Sequence, residues 1–147
     1  MSVVVDASLV VAAIVGDNRT PVATGLFSRW LGVGEALHAP TLLAYEVANA
    51  LTRLVTAKVF PADDIEEAWR SATAIPISYH ALDIQGPDVV AMALRLRRQS
   101  AYDAAYLALA DRLGAQLWTF DGPLARNAES LGYPVHLVTP PATPRNE

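Results

Sequence analysis

Five short apolar runs, the first four each followed by a stretch with helical spacing, constrain this chain more than any other feature of it. They are SVVVD at 2–6, ALHAP at 36–40, IPISYHA at 75–81, AQLWTFD at 115–121 and PVHLV at 134–138. Strands this short, with so little polar alternation, belong to a parallel sheet covered by helices on both faces. The intervening segments agree. TLLAYEVANALTRLVTAK at 41–58 is the clearest amphipathic helix, Pro21 and Pro61 are placed to start two others, and the acids at 63, 64, 66 and 67 suit the positive end of a helix dipole. GPDVVAMALRLRRQ at 86–99 carries its basic residues in the last turn, as a helix C-terminus prefers. Alternation of this kind predicts an α/β fold, a three-layer α/β/α sandwich. Connection rules leave two strand orders, 3-2-1-4-5 and 2-1-3-4-5.

The chain has 147 residues, 52% of them hydrophobic, enough for one sizeable core. We expect a single domain over residues 1–139 and a disordered Pro-rich tail over 140–147. No apolar stretch reaches the roughly 18 residues of a membrane span. The opening MSVVVDASLVVAAIV lacks a basic segment and carries Asp6, so neither a signal peptide nor a membrane partner is expected, and the cytoplasm is the default location. With no cysteine, disulfides and thiolate metal sites are excluded, leaving carboxylates and three histidines as ligands. A net charge of -4 argues against a broad electrostatic footprint for nucleic acid. It does not exclude a nuclease in which a metal ion supplies the charge that meets phosphate.

The acids fall in a pattern. Asp6 ends the first apolar run and Asp121 the fourth, which puts both at the carboxyl edge of a parallel sheet, where open α/β folds bind ligands. In the order 3-2-1-4-5 these two strands are neighbours, about 5 Å apart. Two carboxylates that close repel unless one is protonated or a cation lies between them. On the helix at 41–58, Leu43, Val47, Ala50, Leu51 and Leu54 form the apolar stripe, and Glu46, Asn49 and Arg53 a polar strip along its border. Asp103 follows Ser100 by three residues, the spacing of a capping box, and Asp111 falls on a different face as surface charge. Each acid has an ordinary structural use, as helix cap or solvated edge. Together they describe a carboxylate pocket of the kind that holds Mg²⁺ through carboxylates, water and substrate phosphate, an ion able to activate water for phosphodiester cleavage.

Other chemistries lack their residues. There is no G-x-x-x-x-G-K-[ST] and no G-x-S-x-G, so P-loop and α/β-hydrolase readings are removed. His38, His80 and His136 show no metal-binding spacing and read as core or edge residues. Trp30, Trp69 and Trp118 read as core or interface anchors.

VVVDASLVVA, LLAYEVANAL, SAYDAAYLALADRLGAQLWTFD and LARNAESLGYPVHLV together resemble the PIN-domain ribonucleases, in particular the VapC-type toxins of toxin-antitoxin systems. The most specific part is Y-D-A-x-Y-L-A-L-A followed by T-x-D. The resemblance implies a PIN-like five-stranded parallel sheet of order 3-2-1-4-5 and an acidic quartet at Asp6, Glu46, Asp103 and Asp121. It also implies support from Ser8, Asn49 and Thr119, dependence on Mg²⁺ or Mn²⁺, and endonucleolytic cleavage of RNA. A homodimer and a cognate antitoxin that inserts a peptide beside the site are the implied partners. Where some members carry a further acid, this chain has Gly122 and Pro123, which argues against a second metal. Arg53, two turns from Glu46, is a candidate phosphate contact.

Besides a haloacid-dehalogenase-like phosphatase, which wants D-x-D after the first strand where this chain has D-A-S, two rivals use similar folds. A phosphoacceptor signalling domain wants a lysine at a late strand end, whereas the single lysine here, Lys58, follows a helix. A PIN-like module without catalysis, serving only as a binding partner, is the other, and the complete quartet argues against it.

Overall fold

The computed structural model describes residues 1–82, 86–97 and 101–142. Its strands are β1 (Ser2–Val5), β2 (Ala36–Pro40), β3 (Ile77–His80), β4 (Gln116–Thr119) and β5 (Val135–Leu137). All pair in parallel, in the order β3-β2-β1-β4-β5. Between them run α1 (Ala7–Val15), α2 (Thr20–Gly32), α3 (Leu42–Thr56), α4 (Ile65–Ala74), α5 (Gly86–Arg95), α6 (Tyr102–Leu113) and α7 (Gly122–Ser130). Of the two strand orders the sequence permits, the first is the one formed.

β1 occupies the centre because its side chains tolerate no water on either face. Val4 and Val5 are wholly buried, and burying a valine contributes about 1.5–3 kcal/mol relative to leaving it exposed. β3 and β5 lie at the edges and are correspondingly half exposed. Tyr79 shares a groove with Val10 of α1, while the next residue, His80, shares one with Leu109 of α6. Successive strand residues point to opposite faces, so α1 and α6 cover opposite sides of the sheet. α2, α3 and α4 pack with α1, and α5 packs with α6, which completes the three layers.

α6 is buried without interruption from Ala104 to Ala110. Its alanines let the backbone lie close against β1, β2 and β4, and Gly114 ends it in the left-handed conformation with φ 61°. No helix among the described residues is long and apolar enough to cross a membrane.

Several local expectations are corrected. β1 stops at Val5 and β4 at Thr119, so Asp6 and Asp121 lie just beyond their strands, as the N-caps of α1 and α7. α6 starts after Ala101, which makes no side-chain cap, and Asp103 is its second residue rather than its third. Ser100, the expected cap, lies outside the described residues. Pro61 opens a 3-10 turn at Ala62–Asp64, and the α-helical first turn carries only Glu66 and Glu67. Of the two roles expected for Trp69, core or interface anchor, its 36% exposure removes the first. Most of the expected tail, 143–147, also lies outside the described residues.

Candidate active site

At the carboxyl edge of the sheet lies a cleft of about 350 Å³, and Asp6, Glu46, Asp103 and Asp121 all line it. Three of these acids stand at helix N-termini. Asp6 and Asp121 cap α1 and α7, accepting from the backbone N–H of Leu9 at 3.3 Å and of Leu124 at 3.0 Å, and Asp103 sits in the first turn of α6. The positive ends of three helix dipoles therefore face one cleft, which favours negative charge there. Glu46 arrives from α3, with Asn49 and Arg53 on the same strip. The amphipathic phase of α3 accounts for this: Leu43, Val47 and Leu51 are buried, and the polar strip borders them.

Asp6 is the most enclosed of the four, only 7% exposed. The Ser8 hydroxyl donates to its Oδ1 at 2.5 Å, and the Thr119 hydroxyl donates to its Oδ2. The β1–β4 register, with Val5 opposite Trp118, brings Thr119 and not Asp121 alongside Asp6. Thr119 in turn accepts from the Asp121 N–H at 2.9 Å, and Ser8 accepts from the Phe120 N–H at 3.0 Å. Ser8, in the cleft wall, and Thr119, beneath it, thus hold one carboxylate oxygen each.

Burial pushes the Asp6 carboxyl up to about 6 despite those hydrogen bonds, and the charge of Glu46 adds to the rise. Burial also raises Glu46; the Tyr106 hydroxyl, donating to its Oε1 at 2.5 Å, opposes that rise, the Asp103 charge adds to it, and Arg53 counters it. Tyr106 is itself 2% exposed and held far above the ordinary tyrosine range by burial and by Glu46. No cationic side chain forms an ion pair with Asp6 among the described residues. A buried carboxylate without a countercharge, set in an all-oxygen donor group, fits a hard divalent cation. No three acidic or imidazole groups among the described residues converge tightly enough to form a ready-made cage. That suits an ion that keeps several waters more than one fully enclosed by protein.

All the sequence-derived site residues meet here except that Thr119 lies beneath the cleft and not in its wall. Tyr106 and Arg19 also line it, and the sequence reading missed both. Tyr106 lies one helical turn after Asp103 and was legible on that ground. Arg19 sits in the α1–α2 turn, and nothing in its neighbours marks it. Lys58 lies by Val55 and Phe60, away from the cleft, so the lysine of a phosphoacceptor site is not in place. Asp111 is exposed, as expected of surface charge. His38 and His80 pair with each other, Nδ1 to Nε2 at 2.9 Å, on neighbouring strands, and His136 stacks on Trp118.

A family model described as PIN domain matches residues 3–130 of the chain. The chain belongs to the PIN-domain family. Relatives refine its position within the family. Ribonuclease VapC3 of Pyrobaculum aerophilum is 34% identical over 138 residues, covering 91% of this chain and all of that one. Ribonuclease VapC9 of Mycobacterium tuberculosis is 32% identical over 123 residues, 81% of this chain and 85% of its own. These place the chain in the VapC group. Two solved structures share the PIN fold: one from Pyrobaculum aerophilum (TM-score 0.65, 19% identity, 92% of this chain and 83% of that one) and VapC20 of Mycobacterium tuberculosis. The latter, described as a sarcin-ricin loop cleaving toxin, gives a TM-score of 0.63 at 21% identity over 89% of this chain and 95% of its own.

Proposed function

We propose that this PIN domain is a metal-dependent endoribonuclease that acts as the toxin of a toxin-antitoxin pair. The observation that carries the reading is the cleft itself: four acids from four separate elements lining one cavity, with Asp6 buried and forming no ion pair among the described residues. The VapC ribonucleases among its relatives support RNA as the substrate.

Asp6, Asp103 and Asp121 would hold Mg²⁺, or Mn²⁺ in its place, directly or through water. When bound, such an ion neutralises charge on phosphate oxygens and lowers the pKa of water. Glu46 accepts the proton of the attacking water or orients it, and its raised pKa brings it closer to neutral pH, where a general base works best. Tyr106 holds the Glu46 carboxylate in one orientation, and Ser8 and Thr119 do the same for Asp6. Asn49 and Arg53, exposed on the cleft wall, stand where substrate would pass. Arg53 is a phosphate contact in this scheme. The protein works as a homodimer and is silenced by an antitoxin whose inserted peptide blocks the cleft.

The test is cleavage of structured RNA by purified protein with Mg²⁺ or with chelator, alongside Asp6→Asn and Asp103→Asn. Loss of cleavage with chelator and in both folded variants is expected. Full activity in folded Asp103→Asn would remove that residue from the site. Mg²⁺ titration by calorimetry separates the enzyme from a non-catalytic binding module, for which no heat of binding is expected.

A further inference from the structure

Four acids repel the phosphates they are meant to cut, so the cleft needs positive charge of its own wherever the substrate backbone enters. Among the described residues its lining contains two cationic side chains, Arg53 and Arg19. They come from opposite sides of the problem. Arg53 is exposed and already offsets the charge of Glu46, though it forms no ion pair among the described residues. Arg19 is already fixed. Its Nε bonds both Asp17 oxygens at 3.3 and 3.1 Å, and its Nη2 bonds Oδ2 at 2.6 Å. Asp17 also accepts the Arg19 backbone N–H at 2.8 Å, which locks the turn that presents the side chain. The guanidinium carbon lies 5.8 Å from the centroid of the Phe120 ring, and the Phe120 N–H bonds the same Ser8 hydroxyl that supports Asp6. Arg19 is thereby set beside the frame of the acid site, with Phe120 of the β4–α7 connection and Ser8 of α1 between it and Asp6.

The bonds to Asp17 use one side of the guanidinium. Nη1 makes none among the described residues, so the end of the fork, Nη1 with the second Nη2 hydrogen, remains available. That edge matches two oxygens of a phosphodiester in bidentate fashion. As a stabilising pair, Arg19 and Asp17 are unremarkable: their side chains are 30% and 38% exposed, and such pairs contribute little. Their geometry does more for a ligand than for the fold, because a guanidinium held in place loses less freedom on binding than one that must first be ordered.

We propose that Arg19, oriented by Asp17, is a phosphate-binding residue of the cleft, gripping a backbone phosphate of RNA that flanks the scissile one. This rests on the ribonuclease reading. Asp17 is a positioning residue and touches no substrate.

The experiment measures binding of a short single-stranded RNA in the non-cleaving Asp6→Asn background, as a function of salt. Adding Arg19→Ala is expected to weaken binding about tenfold and to reduce the slope of log affinity against log salt by about 0.7, the value for one lost phosphate contact on a single strand. Arg19→Lys keeps the charge without the fork and should restore the slope but only part of the affinity. Asp17→Asn should fall between the parent and Arg19→Ala. Arg70→Ala, on α4 away from the cleft, is the control and should match the parent. In the active protein, Arg19→Ala should raise KM more than it lowers kcat. Unchanged affinity and slope in folded Arg19→Ala, with wild-type protein cleaving RNA, would overturn the role of Arg19 and leave the ribonuclease intact. Absence of both cleavage by the wild type and RNA binding by Asp6→Asn would remove the ribonuclease reading, and the role of Arg19 with it.

Discussion

The Thr119 hydroxyl, at the end of β4, donates to Oδ2 of Asp6, the residue just beyond the neighbouring β1, from a side chain with no solvent exposure at all. Two residues 113 positions apart in sequence therefore share one buried hydrogen bond. Thr119 also accepts the Asp121 N–H, so one hydroxyl links two of the four acids.

Thr119→Val keeps the volume and removes the hydroxyl, leaving a buried carboxylate oxygen with one donor fewer. The cost to stability should be about 1–3 kcal/mol. Cleavage should fall by more than the folded fraction does, because the Asp6 carboxylate also loses its fixed orientation. Urea denaturation together with cleavage assays on folded protein checks both.

Asp6 and His38 should bend the pH dependence of stability in opposite directions. The Asp6 carboxyl is raised from 3.8 to about 6, so in the metal-free protein its contribution is greatest in acid and is lost as pH rises through about 6. That difference corresponds to about 3 kcal/mol at most. His38 is lowered from 6.5, by burial and by its neighbour His80, so its contribution is present above 6.5 and is lost as pH falls below it. Relative to the wild type, Asp6→Asn should make stability rise more with pH, and His38→Gln should make it rise less. Denaturation of both variants between pH 5 and 8 in chelator measures the two slopes. Equal slopes in the two variants would contradict this assignment.

Tyr106→Phe removes the hydrogen bond that favours the charged form of Glu46. The Glu46 carboxyl should rise further, moving the acid limb of the pH-rate profile to higher pH. Maximal rate at alkaline pH should change less than the rate near neutrality. A profile of kcat/KM against pH for the two proteins reads the displacement directly.

Asp121 combines two roles that substitution can separate. Asn is as good an N-cap as Asp, so Asp121→Asn should keep the bond to the Leu124 N–H and leave stability nearly unchanged. Its Mg²⁺ affinity and cleavage should nevertheless fall. Asp121→Ala should lose both, with about 1 kcal/mol of stability going with the cap. Thermal melting and calorimetric titration of the pair tell the two roles apart.

The layered fold was legible because its signals are local. Val3 to Val5 read as a strand buried on both faces, and α3 as an amphipathic helix whose polar strip includes Glu46, from residue types and spacing alone. The helix starts were less so. Capping at Asp6 and Asp121 takes each residue out of its strand, and Pro61 opens a 3-10 turn first, because an end is decided by hydrogen bonds that a neighbouring segment can supply. Asp103 shows the same limit: its place in the helix shifted by one residue, while its face toward the cleft did not.

The sequence by itself determined the alternation of strand and helix, the edge of the sheet at which the acids gather, and the four carboxylates themselves. All of these follow from periodicity and from the rule that parallel strands end together. Only the tertiary structure decided that Thr119, not Asp121, lies beside Asp6, that Tyr106 holds Glu46, and that Arg19 enters the cleft from a turn. Those relationships depend on strand register and helix docking, which are set by packing among residues far apart in the chain. No local pattern encodes that packing.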